Sequence, residues 1–174
     1  MNGGEVVLGI GSNRADSRGR NPRSIIEAAV RELERILRGL RRAAVRETEP
    51  LHVVDQPPFL NTAVSGFYGG NPRELLRDIG AIEARYGRDR SRERRWGERT
   101  LDIDILLFGD LVIREHDLEI PHPRLAERVF ALEPLLDLLP EARDPESGGF
   151  FRDMLEKIMP AEGARARAPA PWHE

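Results

Sequence analysis

Two aspartates one residue apart, Asp102 and Asp104, interrupt the otherwise apolar run Leu101 to Phe108, and an arginine-rich stretch directly precedes them. On a strand, side chains i and i+2 share a face. The spacing therefore predicts both carboxylates on one side of a strand, with Leu101, Ile103 and Ile105 in a core on the other. Neighbouring carboxylates repel, and a hard cation relieves that repulsion; Mg²⁺ typically takes one or two carboxylates plus substrate phosphates. Arg85, Arg88, Arg90, Arg92, Arg94, Arg95 and Arg99, set around Trp96, supply the guanidinium groups that a polyphosphate would need from its other side. Together these residues point to a metal–nucleotide site. Taken alone, the stretch is also compatible with a solvated loop. Asp89, Glu93 and Glu98 are interspersed in it, and the chain uses arginine almost to the exclusion of lysine, Lys157 being the sole example.

Other residues could serve a second, ring-shaped substrate. Asn61 follows Phe59 and Leu60 in a strand-like run. Its amide offers a donor and an acceptor, suited to the edge of a heterocycle or to a neighbouring backbone in a core. Phe59, Trp96 and Phe130 are either packing or faces on which a flat ring stacks. His122, between Pro121 and Pro123, is held in an extended turn from which it could donate to phosphate or simply face solvent. With no cysteine and with histidines scattered at 52, 116, 122 and 173, neither thiol catalysis nor a zinc centre is expected. No G-x-x-x-x-G-K-[ST] motif is present, so any ATP must be held in another way.

The elements that must position these residues are readable from pattern. Residues 5–11 form a short buried strand ending in a Gly-Ser-Asn turn at 11–13. Asn21-Pro22 opens a helix whose apolar stripe runs through Ile25, Ile26, Ala29, Val30, Leu33, Ile36, Leu37 and Leu40. Ala43 to Thr48 is a second strand, and the proline-rich segment 49–58 cannot be a central one. Phe59 to Tyr68 is a third strand. Asn71-Pro72-Arg73-Glu74 then opens a second helix with a capping box; Leu75, Leu76, Ile79, Ile82 and Tyr86 form its stripe, and Gly87 closes it. After the Asp-bearing strand, Gly109-Asp110 reads as a hairpin turn into Leu111–Ile113. Helical turns are expected at 124–132 and 151–158. This order gives an α+β fold: a ferredoxin-like βαββαβ sandwich with an extra hairpin and C-terminal helices. Residues 1–160 would form one domain and 161–174 a flexible tail.

At 174 residues, 40% hydrophobic and 33% charged, the composition is that of an ordinary globular domain. A net charge of −3 argues against a general nucleic-acid or membrane binder. No run reaches membrane-spanning length and Met1–Glu5 lacks a signal-peptide pattern, so a cytoplasmic address is expected.

Thr48-Glu-Pro-Leu51, Asp55-Gln-Pro-Pro-Phe-Leu-Asn-Thr-Ala-Val64, Arg95-Trp-Gly-Glu-Arg-Thr-Leu-Asp-Ile-Asp-Ile-Leu-Leu-Phe-Gly109 and Ile120-Pro-His122 together resemble the 6-hydroxymethyl-7,8-dihydropterin pyrophosphokinases. The resemblance runs over residues 5–158, in the family's order. It implies transfer of pyrophosphate from ATP to a pterin alcohol in folate biosynthesis. Asp102 and Asp104 would hold two Mg²⁺ ions, and Arg88 and Arg99 would stabilise charge during transfer. Thr48, Pro50, Leu51, Phe59, Asn61, Trp96 and Phe130 would form the pterin pocket. Glu83, Arg92, Arg95, Trp96, Arg99, Ile105, His122 and Arg128 would hold ATP. The segments 49–58 and 88–97 would be mobile covers, and the partners would be small molecules only, bound by a monomer. Gly80, Asp117 and Glu119 depart from the family's pattern, as does an arginine loop one residue longer before Trp96. Two other readings predict different products or surfaces: a ferredoxin-like nucleotidyltransferase, and a non-catalytic RNA-binding module.

Overall fold

The computed structural model describes residues 3–50, 55–88 and 97–162. Strand β1, Gly4–Ser12, alternates its side chains cleanly: Val6, Leu8 and Ile10 enter one core and Val7 another. It pairs antiparallel on one side with β4, Phe59–Tyr68, and on the other with β5, Asp102–Phe108. Strand β2, Leu37–Arg42, pairs outside β4, giving the order β2-β4-β1-β5; the short β3, Arg46–Thr48, also pairs with β4. Two split βαβ units interleave, as expected for a ferredoxin-like α+β sheet.

Helices α1, Pro22–Leu33, and α2, Pro72–Arg85, cover one face of the sheet. Their starts are set locally. Asn21 accepts the Ser24 N–H at 2.9 Å, and Asn71 accepts those of Arg73 and Glu74 while Glu74 accepts the Asn71 N–H at 2.8 Å. Gly87, at φ +82°, takes the left-handed turn that ends α2. Ile25, Ile26, Ala29, Val30 and Leu33 of α1 pack with Leu75, Ile79 and Ile82 of α2 on Val6, Leu8 and Ile10. The opposite face is covered by α3, Val129–Leu138, and α4, Phe151–Glu162, through Ala131, Leu132, Leu135, Leu138 and Phe151. Each fully buried Leu or Ile contributes about 1.5–3 kcal/mol.

Five expectations change. The first helix ends at Leu33, and Leu37 and Leu40 lie on β2. Leu37 meets Tyr68 across the ladder, and Gly39 at φ +64° lies in an irregular stretch of it between Arg38 and Arg41. Sheet pairing there overrides a stripe that continues at helical spacing. The second strand begins at Arg46, because residues 43–45 bridge β2 and β3 outside both. The extra hairpin is β6, Ile113–Glu115, with β7, Leu118–Ile120, so its turn lies at His116-Asp117, not Gly109-Asp110. Arg73 at the start of α2 holds that turn through Glu115 and Asp117. The segment 124–132 divides into a 3₁₀ turn at Leu125–Glu127 and the start of α3, and α4 runs two residues past position 160.

Candidate active site

Strand β5 carries the acidic pair, and its ladder with β1 shows how one short strand serves two faces. Asp102 lies opposite Gly11, Asp104 opposite Gly9 and Ile105 opposite Leu8, but Val7 is opposite Leu107. Leu106 is an extra residue, a β-bulge. Ile103 and Ile105 therefore enter the α1/α2 core, while Asp102, Asp104 and Leu106 face the other side. There α3 covers Val7, Ala63 and Leu107 but leaves a cavity of about 130 Å³ over the glycines of β1.

Thr48, Pro50, Phe59, Asn61 and Phe130 line this cavity together with Arg99, Asp102, Asp104 and Arg128. The floor is bare backbone. A Cβ on Gly9 would stand 3.3 Å from the Leu106 side chain, and one on Gly11 3.0 Å from Asn61 Oδ1. Asn61 is 7% exposed and donates one amide hydrogen to Thr48 Oγ1 at 2.7 Å. The amide has a second hydrogen and a carbonyl oxygen with which to read a ring edge.

The two aspartates have different electrostatics. Asp102 accepts from both Arg99 and Arg88, and Arg88 also donates to Glu83. Burial by itself would raise the Asp102 pKa, but Arg99 and Arg88 outweigh it and hold the carboxyl below its ordinary value. Among the described residues, Asp104 is approached by His122 Nε2 at 3.7 Å and Arg128 Nη1 at 3.8 Å, both longer than the Asp102 contacts. Lost hydration and the Asp102 charge push Asp104 up to about 7. Burial and the nearby Arg128 push His122 down to about 4. Its Nδ1 accepts the Arg124 N–H at 3.1 Å, so Nε2 carries the hydrogen that points toward Asp104.

A divalent cation bound beside Asp102 and Asp104 would offset the repulsion that raises Asp104 and hold its carboxylate ionised. Among the described residues no cluster of three or more acidic or imidazole side chains could chelate one unaided. A cation here would complete its shell from ligand oxygens, as Mg²⁺ does with nucleotides. Asp102 could contribute without releasing its arginines, since an ionised carboxylate has about four acceptor sites.

Two of the expected ATP contacts lie elsewhere. Ile105 is 6% exposed in the α1/α2 core, on the face of β5 away from Asp104. Glu83, 1% exposed, accepts the Ile103 N–H at 2.8 Å and pairs with Arg88, so it positions Arg88 and is not part of the lining of this cavity. Leu51, Arg92, Arg95 and Trp96 lie outside the described residues. Asp117 is committed to Arg73. Sequence reasoning passed over Gly9, Gly11, Asn13, Gln56 and Arg124. Glycines at i and i+2 of a strand do signal a face that something must approach closely. Asn13 gave no such signal.

Residues 7–140 match the family described as 7,8-dihydro-6-hydroxymethylpterin-pyrophosphokinase (HPPK). The 2-amino-4-hydroxy-6-hydroxymethyldihydropteridine pyrophosphokinase of Pseudomonas aeruginosa is 40% identical over 144 residues, covering 81% of this chain and 84% of that one. The mitochondrial folate synthesis bifunctional protein of Arabidopsis thaliana is 43% identical over 146 residues, covering 82% of this chain. The chain spans only 25% of that longer protein's length. The crystal structure of Plasmodium falciparum HPPK-DHPS superposes with a TM-score of 0.71 at 17% identity, over 92% of this chain and 46% of that one, a likeness of fold. On these matches, the chain belongs to the 7,8-dihydro-6-hydroxymethylpterin-pyrophosphokinase family.

Proposed function

We propose that the chain transfers the pyrophosphoryl group of ATP to the hydroxymethyl group of 6-hydroxymethyl-7,8-dihydropterin in folate biosynthesis. The carrying observation is one cavity lined both by Asn61, Thr48, Phe59 and Phe130 and by Asp102, Asp104, Arg99 and Arg128. The hydroxymethyl oxygen bonds to the β-phosphorus, the bond from that phosphorus to the α,β-bridging oxygen breaks, AMP leaves, and the hydroxyl proton is released. Such transfers depend on positioning and charge neutralisation, with little covalent work for the protein.

Asn61 orients the pterin by its edge, with Thr48 fixing the amide and Phe59, Pro50 and Phe130 enclosing the ring. Arg99 and Arg88 stabilise charge as it shifts toward the leaving phosphate, and Arg128 and neutral His122 donate to phosphate oxygens. Asp102 and Asp104 would hold two magnesium ions, which supply neutralisation of the triphosphate. Leu51, Arg92, Arg95 and Trp96 would complete the pocket and the nucleotide contacts. The chain through α4 would act as one catalytic domain with the residues after Glu162 as a tail, in the cytoplasm, as a monomer binding only small molecules. Among the described residues no helix is long and apolar enough to cross a membrane.

The test is a coupled assay with ATP, Mg²⁺ and 6-hydroxymethyl-7,8-dihydropterin. AMP and the pterin diphosphate are expected; release of pyrophosphate with a nucleotidylated product would overturn the assignment in favour of a nucleotidyltransferase.

A further inference from the structure

Asn13 is 2% exposed, one residue beyond β1, and every polar atom of its side chain is engaged with a segment distant in sequence. Its Oδ1 accepts the Arg99 N–H at 2.8 Å, and its own N–H donates to the Arg99 carbonyl at 3.0 Å. Residue 99 is thus clamped from both sides by residue 13. The Arg14 N–H adds a bond to the same carbonyl, and Ser12 Oγ donates to the Thr100 carbonyl at 2.5 Å. The Asn13 Nδ2 reaches the other way, donating to Gln56 Oε1 at 3.2 Å and to the Pro57 carbonyl at 3.0 Å. Gln56 and Phe59 line the cavity with Asn61, and Arg99 lines it with Asp102.

A single amide therefore joins the wall of the ring-binding part to the backbone of the residue whose guanidinium pairs with Asp102. Arg99 projects from a backbone position held by Asn13, and any displacement of Gln56 and Pro57 would reach Arg99 through two hydrogen bonds in series. We infer that Asn13 is a positioning residue that couples occupation of the pterin pocket to placement of the Arg99 guanidinium. This rests on the pyrophosphoryl-transfer reading. Asn13 is not among the residues lining the cavity and acts through Arg99, so its loss should lower kcat and leave the affinity for ATP nearly intact. Misplacing a charge-stabilising group by about 1 Å can cost on the order of 10²-fold in rate.

The test uses the full chain and four variants: Asn13→Ala, Asn13→Asp, Arg99→Ala and Asn13→Ala with Arg99→Ala. Asn13→Asp keeps the acceptor for the Arg99 N–H but sets a carboxylate oxygen against Gln56 Oε1 and the Pro57 carbonyl, so it breaks the link on the pocket side while leaving the Arg99 side in place. Expected is a fall in kcat of about tenfold or more for Asn13→Ala and for Asn13→Asp. The dissociation constant of a non-hydrolysable ATP analogue should stay within about threefold, and Asn13→Ala should cost less than about twofold once Arg99 is already alanine. The inference is overturned if Asn13→Asp turns over like the parent, or if Asn13→Ala costs the same with and without Arg99, as a merely structural residue would. Should Asn13→Ala fail to fold, Asn13→Asp combined with Arg99→Ala gives the same cycle. A parent protein inactive toward the pterin overturns the proposed function itself, and the inference with it; an active parent with unaffected variants overturns the inference alone.

Discussion

His122 Nε2 stands 3.7 Å from Asp104 Oδ2 while its Nδ1 accepts the Arg124 N–H, so a neutral imidazole with a fixed tautomer faces the more proton-hungry of the two aspartates. In the magnesium-free protein the His122 ring should titrate near pH 4, not near its ordinary 6.5. The folded value lies below the unfolded one. This residue's contribution to stability is therefore complete above about pH 6.5 and is lost as pH falls toward 4. Imidazole NMR signals followed from pH 8 to about 3 check this; a midpoint near 6.5 would contradict it.

Asp104→Asn should leave the fold intact and remove turnover, by at least about two orders of magnitude if metal-assisted stabilisation is lost. Its thermal response has a definite sign. Burial and the Asp102 charge push the folded carboxyl up to about 7 from the ordinary 3.8, so its ionised form should disfavour the magnesium-free folded state at higher pH. The variant should therefore melt above the parent at pH 8, with the gap closing as pH falls toward 4. Melting curves without divalent ions read this directly, and a lower Tm for the variant at pH 8 would refute it.

Asp102→Asn should behave in the opposite way. Asp102 is 15% exposed and faces Arg88, itself 7% exposed, as well as Arg99. Removing its charge leaves a buried guanidinium short of one partner. Breaking such a pair costs about 3 kcal/mol, so urea unfolding should show a clear loss of stability at neutral pH. An unchanged midpoint would mean that the arginines are compensated from elsewhere.

Gly11→Ala probes the floor. The new methyl would lie 3.0 Å from Asn61 Oδ1, displacing the amide proposed to read the pterin. Pterin affinity should fall about tenfold, the equivalent of one hydrogen bond of ordinary strength. Binding of an ATP analogue should change little. Calorimetry with each ligand separately distinguishes this from general damage, which would weaken both.

What was legible in the sequence was mostly local. The Asn21 and Asn71 caps and the two-residue alternation around Asp102 and Asp104 depend on neighbours a few residues away. Helix α1 was overextended because Leu37 and Leu40 continue its spacing; only pairing with Tyr68 and the adjoining strand residues makes that stretch a strand. The placement of Ile105 away from the cleft followed from the same alternation that predicted the acidic pair. Glu83 and Asn13 were beyond reach for another reason. Their partners are Ile103 and Arg88 in one case and Gln56, Pro57 and Arg99 in the other, brought together only by the finished sheet.

Strand β5 ends the main sheet, and its outward-facing rim is not left open. The Ile103 N–H is taken by the Glu83 carboxylate and the carbonyl of the bulged Leu106 by the His122 N–H at 3.0 Å. A strand from a second molecule would find these template positions already filled and the ladder kinked between them. The residues that support Arg88 and face Asp104 thereby also guard the chain against edge-to-edge polymerisation.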